Sequence, residues 1–77
     1  EKKDYAQAIS YYKQAINAGK NELLTAYYIK KLGFLYMHQK DNTNALAQFQ
    51  LLKKEYPLSP ETTDIDKYIV KVGGDAE

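Results

Sequence analysis

Between residues 26 and 57, two apolar patterns of helical period meet at a short polar break, Asp41-Asn42. Each carries one small residue, Gly33 and Ala45, on the side that would face the other. Large residues surround them at steps of three and four: Ile29, Leu32 and Tyr36 before the break, Leu46, Phe49 and Leu52 after it. Antiparallel helices joined by a tight turn need this arrangement, because small residues let backbones approach while bulky ones interlock around them. Pro57 ends the second pattern, since it cannot donate to the helical ladder and disfavours helix in the residue before it. The spacing predicts a helix-turn-helix unit over 22–57 with Gly33 and Ala45 at its crossing.

The flanks read as further helices packed on that unit. Over 3–18, Tyr5, Ala8, Ile9, Tyr12, Ala15 and Ile16 form a single apolar stripe, and Gly19 supplies a left-handed stop. Lys20 or Asn21 leads into the second helix, with Glu22 in the first turn where the macrodipole favours a carboxylate. That helix runs to about His38 and is apolar nearly all round, so contacts on several sides are expected. Ile29, Leu32, Gly33 and Tyr36 face the third helix, while Tyr28, Leu32 and Leu35 reach back to the first. Tyr27, Lys30, Phe34, Met37 and His38 form a third stripe for which the sequence offers no partner within the chain. Asp41 or Asn42 caps a third helix over 42–55, with Lys53-Lys54 at the end that favours cations. Ser59-Pro60-Glu61 then starts a capping helix over 59–72, with Ile65, Tyr68, Ile69 and Val72 inward and Asp64, Asp66, Lys67 and Lys71 as a polar outer face. Gly73-Gly74 stops it, leaving a tail over 73–77. The fold class expected is all-α, an antiparallel helix-pair fragment of about four helices in one small domain.

Composition narrows the function. The 77 residues carry 27% charged side chains that nearly cancel, for a net charge of +1, which argues against nucleic acid as a partner. All eleven basic residues are lysine, so the guanidinium fork that reads guanine or grips phosphate is missing. Without cysteine there is no thiolate chemistry or disulfide, a composition compatible with cytosol or periplasm. No stretch reads as a membrane span, and with Glu1 in place of an initiator Met a targeting segment upstream is expected to be possible. His38, the single histidine, has no second ligand at metal spacing, and its simplest role is a dipole contact at a helix end. Glu61, Asp64 and Asp66 fall in first helical turns, where carboxylates are expected for stability alone. Gly73-Gly74 lacks the following helix of a phosphate loop, and Ser10 and Ser59 have no base nearby in sequence. No enzyme activity, cofactor or metal is expected.

The residues Ile29, Leu32, Gly33, Tyr36, Ala45, Phe49, Leu52 and Pro57 resemble the signature of the tetratricopeptide repeat, with Ile29 where Trp is common and Leu52 where Ala is usual. Ala8, Tyr12 and Ala15 resemble the second helix of such a repeat. Ala8 matches Ala45 and Tyr12 matches Phe49 at an offset of 37, against a usual period of about 34. The resemblance implies a solenoid piece that opens on the second half of a repeat, and self-association through the uncovered first helix is expected. It also implies that Tyr27, Lys30, Phe34, Met37 and His38 line a concave groove. Either neighbouring repeats cover this stripe, or a protein or peptide partner docks there on Phe34 and Met37 with Lys30 orienting it. Phe34 stands where a carboxylate-clamp repeat would have Asn, which argues against that version. The run from Phe49 through Leu52 and Tyr56-Pro57 to Ser59, with 64–69 after it, is similar to the C-terminal repeats of inner-membrane-anchored periplasmic proteins of Bacteroidetes-type bacteria. That resemblance implies a non-catalytic interaction module or scaffold in a bacterial envelope, with no membrane insertion by these residues. The alternatives are a purely structural solenoid segment and a cytosolic regulatory domain.

Overall fold

The computed structural model describes residues 4–74, which run through α1 (Tyr5–Ala18), α2 (Glu22–His38), α3 (Asn42–Glu55), a 3-10 turn (Pro60–Thr62) and α4 (Ile65–Lys71). The expected start at Lys3 and the tail over 75–77 lie outside the described residues. Three side chains set the helix starts by satisfying N–H groups that have no partner inside the helix. The Asp4 carboxylate accepts from the Gln7 N–H at 3.0 Å, and Asp41 accepts from Asn44 at 3.2 Å. The Asn21 carbonyl accepts from Leu23 and Leu24 at 2.8 and 3.2 Å.

The helix ends are equally local. After α2, the Asp41 N–H donates to the Tyr36 carbonyl at 2.9 Å and the Lys40 N–H to Met37 at 3.0 Å. This paired closure requires a left-handed residue between, and Lys40 adopts it with φ 62°. Asp41 thus ends one helix through its backbone and starts the next through its side chain, giving a very short turn between antiparallel helices. The same closure ends α4, where Gly74 donates to Ile69 at 2.9 Å and Gly73, at φ 97°, donates to Val70 at 3.0 Å.

The core is shared by three helices. Ala26, Ile29, Leu32 and Tyr36 from α2, Ala45, Phe49 and Leu52 from α3, and Ile65 and Ile69 from α4 are buried, with Val72 just beyond. At Gly33 the close approach is to a side chain: a Cβ there would lie 2.5 Å from Cε1 of Phe49. Ala45, the other small residue expected at the crossing, is fully buried about one turn earlier on α3. The Phe49 ring is held by Phe34 at 5.8 Å and Tyr68 at 5.9 Å, and these two rings meet each other at 5.0 Å. Three aromatic rings from α2, α3 and α4 therefore close one cluster over a glycine.

Two expectations are corrected here. The segment over 59–72 is not one helix, because the Asp64 backbone (φ −111°, ψ 22°) leaves the helical region between the 3-10 turn and α4. The Thr62 hydroxyl donates to the Tyr56 carbonyl at 2.7 Å, tying the turn to the end of α3, and Asp64 forms no side-chain cap because its carboxylate is taken by Lys30. Part of the third stripe of α2 also has a partner within the chain: Tyr68 of α4 covers Phe34, and Asp64, the residue before α4, engages Lys30. In α1, the residues of the expected stripe are the half-buried ones, and none is fully buried.

Two substitutions test the packing and the turn. Gly33→Ala gains about 1 kcal/mol of helix propensity but overpacks a fully buried ring, which typically costs about 1–3 kcal/mol. The ring is fixed on two sides, so overpacking wins and the urea midpoint should fall, while Lys13→Ala stays near wild type; a raised midpoint for Gly33→Ala would refute the contact. Lys40→Gly removes the penalty of a left-handed non-glycine residue, with an expected gain of about 0.5–1 kcal/mol after the added freedom of the unfolded chain. Equal or lower stability of that variant in the same assay would refute the turn geometry.

Candidate functional site

Of the residues singled out on the outer side of α2, Lys30 is the most constrained. Its ammonium lies 2.9 Å from the Asp64 carboxylate, with 15% of the Lys30 side chain and 45% of the Asp64 side chain exposed. It also sits 5.9 Å from the Phe34 ring centroid and 5.8 Å from that of Tyr68, within cation–π range. The hydrogen bond from Lys30 holds the Asp64 carboxyl below its usual range, and the charge of Lys30 acts the same way against partial desolvation. A second pair, Lys53 to Asp66 at 2.7 Å, ties α3 to α4. Two of the acids expected on an outer face thus point back across helix contacts. Phe34 is half-buried in the ring cluster, Met37 packs against the core, and His38 is exposed in the last turn of α2.

The open surface lies nearer the start of α2. Leu23, Leu24 and Tyr27 are exposed on its first two turns and face the segment 56–61. Short hydrogen bonds fix that segment. Ser59 N–H donates to the Tyr56 carbonyl at 3.1 Å, and the Ser59 hydroxyl accepts from Glu61 N–H at 3.0 Å. The turn holds Leu58 out with 96% of its surface exposed, opposite Leu23 at 65%. A hollow of about 340 Å³ lies between Leu23, Tyr56, Pro57 and Leu58, flanked by Glu22 and Glu55. It continues through Leu23, Ser59 and Pro60 into a second of about 350 Å³ bounded by Leu24, Tyr27 and Glu61. A third, of about 130 Å³, follows along Tyr27 and Glu61 to Lys30, Lys31 and Phe34. Shared lining residues make the three one groove.

The groove takes in Tyr27, Lys30 and Phe34 from the expected stripe, whereas Met37 and His38 line none of it. Leu23, Leu24 and Leu58 were not singled out from the sequence. The available signal was their misfit: two leucines in the first turn of a helix, outside the stripes, and one leucine in a turn between Pro57 and Ser59-Pro60. Tyrosines cover the other side of α2, where Tyr28 meets Tyr12 at 5.8 Å and Tyr11 at 6.2 Å, and Tyr27 meets Tyr28 at 5.4 Å. A hydrogen bond with Tyr11 raises the Tyr28 phenol above its ordinary value, and the nearby phenols add to the effect. Among the described residues, no group of three or more His, Cys, Asp or Glu side chains is arranged to hold a metal ion.

The family model of the tetratricopeptide repeat matches residues 31–59, from within α2 through α3 to the turn that carries Leu58. This part of the chain carries a tetratricopeptide-like repeat. No curated protein and no solved structure matches the chain. Among the described residues, no helix is long and apolar enough to cross a membrane.

The Lys30–Asp64 pair carries a pH signature. Because the folded-state carboxyl is depressed, its stabilisation is present above the ordinary Asp value near 4 and is lost as pH falls through the folded value. With nearly half of the Asp64 side chain in water, the surface range of about 0.2–1 kcal/mol applies. Asp64→Asn should lower stability by that amount at neutral pH and by nothing at about pH 2 in denaturant titrations. An unchanged gap at acid pH would show that the ion pair is not its source.

Proposed function

We propose that this chain is a non-catalytic protein–protein interaction module, a tetratricopeptide-like scaffold piece whose working surface is the groove between α2 and segment 56–61. The observation that carries this reading is the pairing of Leu23 and Leu58, two large apolar side chains held in water on opposite walls by a hydrogen-bonded turn. Exposed contiguous apolar surface with polar edges is what protein contact sites present. Tyr27 stands where the groove meets the stripe expected from the sequence, and Phe34 supports its floor from within the ring cluster. The setting we propose is a bacterial envelope complex on the periplasmic side, with an anchor upstream. Support for that setting is the resemblance of residues 49–59 and 64–69 to envelope-protein repeats, and fractionation of the full-length protein with protease protection of intact spheroplasts tests it.

A second reading, association of copies through α1, rests on the absence of any fully buried residue in that helix. Light scattering over a wide concentration range separates the two, because groove substitutions leave self-association through α1 unchanged.

The test of the main reading is affinity capture with the full-length protein, comparing wild type, Tyr27→Ala, Leu58→Ser and the control Lys13→Ala. Phe34→Ala is unsuitable, because it also removes core packing. Truncating an anchor typically costs about 2 kcal/mol, or roughly a thirtyfold loss of affinity. Both groove variants should lose partners while retaining helical circular dichroism and wild-type denaturation midpoints. Equal capture by all four proteins would overturn the groove as the working surface.

A further inference from the structure

We infer that the groove takes a segment of a partner protein in which apolar side chains are flanked by lysine or arginine; this rests on the interaction reading above. The apolar part follows from Leu23, Leu58 and Tyr27, which a docked segment would cover. The basic part follows from the charges. Among the described residues, the charged ones lining the two larger hollows are Glu22, Glu55 and Glu61, and no lysine lines either of them. This chain has a net charge of +1, so an acid-only lining is not a consequence of its composition.

None of these three carboxylates makes an ion pair among the described residues. Glu22 has a structural reason to be where it is, in the first turn of α2 at the positive end of the dipole. Glu55 has the opposite placement. It is the last residue of α3, where the helix dipole already contributes negative charge and a carboxylate is disfavoured. Of the two lysines in the last turn of α3, Lys53 is drawn to Asp66 on α4, and Lys54, next to Glu55 in sequence, lines none of the three hollows. At the narrow end of the groove, Lys30 is engaged by Asp64 and the Lys31 ammonium lies over the Tyr27 ring at 5.5 Å. Carboxylates are therefore the charged side chains that the described residues contribute to the Leu23–Leu58 end, next to the apolar walls, and a cation beside an apolar anchor satisfies both.

The test titrates the ¹⁵N-labelled chain with three synthetic octapeptides, each with two central leucines. They carry flanking lysines, flanking glutamates or flanking serines, and amide shifts are followed by NMR. The lysine peptide should bind at least about tenfold more tightly than the glutamate peptide at low salt. Its shifts should centre on Leu23, Tyr27 and Leu58, and its advantage should shrink at least about fivefold in Glu55→Gln/Glu61→Gln or in 0.5 M salt. Equal binding of all three at these residues would overturn the charge inference and leave the interaction reading standing. No shift at Leu23 or Leu58 with any peptide would overturn both. Shifts at the same residues on raising the protein concentration alone would mean that a second copy is the occupant, which also overturns the inference.

Discussion

The contact on which the rest of the structure depends is the seating of the Phe49 ring over Gly33. A glycine inside a helix costs stability relative to alanine, so its place in the middle of α2 needs a compensating gain. The gain is depth: without a Cβ, the ring sinks to the α2 backbone and becomes fully buried. From there it presents an aromatic surface to Phe34 and Tyr68, in the tilted and edge-on arrangements that aromatic quadrupoles favour. One missing methyl group thereby positions three helices.

The consequences run through α4. Its seven residues are too few to form a stable isolated helix, so its order comes from contacts with the pair beneath it. Ile65 and Ile69 enter the core, Tyr68 completes the ring cluster, and ion pairs from Asp64 and Asp66 hold it to α2 and α3. At its end Gly74 comes so close to Leu46 that a Cβ there would lie 2.5 Å from the leucine's Cδ1, and a side chain would force Leu46 or Ile69 to shift. Anchoring α4 also fixes the chain that leads into it. The 3-10 turn and the bond from Thr62 to Tyr56 hold Leu58 opposite Leu23, so the groove wall follows from core packing on the other side of the same segment.

The helices α1 and α3 show how one local pattern takes two fates. Their capping aspartates have nearly the same backbone angles, φ −94° and ψ 79° at Asp4 against φ −91° and ψ 74° at Asp41, and each accepts from the N–H three residues on. Tyr12 and Phe49 occupy matching positions. Phe49 is fully buried between α2 and α4, whereas Tyr12 is half-buried, with Tyr28 of α2 and its own neighbour Tyr11 around it. The difference lies in the number of neighbouring helices, not in the helix itself.

The sequence by itself determined what depends on residues a few positions apart. The three long helices start at Asp4, Asn21 and Asp41 because a side chain reaches an N–H two or three residues ahead, and their apolar faces follow from steps of three and four. The turn between α2 and α3 and the stop at Gly73-Gly74 are local in the same sense, as is the repeat signature around Gly33 and Phe49. Tertiary structure decided what joins distant positions. Lys30 and Phe34 read as an unpartnered stripe, and only the path of α4 brings Asp64 and Tyr68 onto them from 34 residues away. The break at Asp64 has the same origin, because its carboxylate serves Lys30 instead of capping its own helix. Leu23 and Leu58 belong to no periodic pattern, and their meeting across a groove depends on where α3 ends and how the turn after it folds back. Local energetics wrote the helices, and the long-range packing of a short fourth helix made the surface.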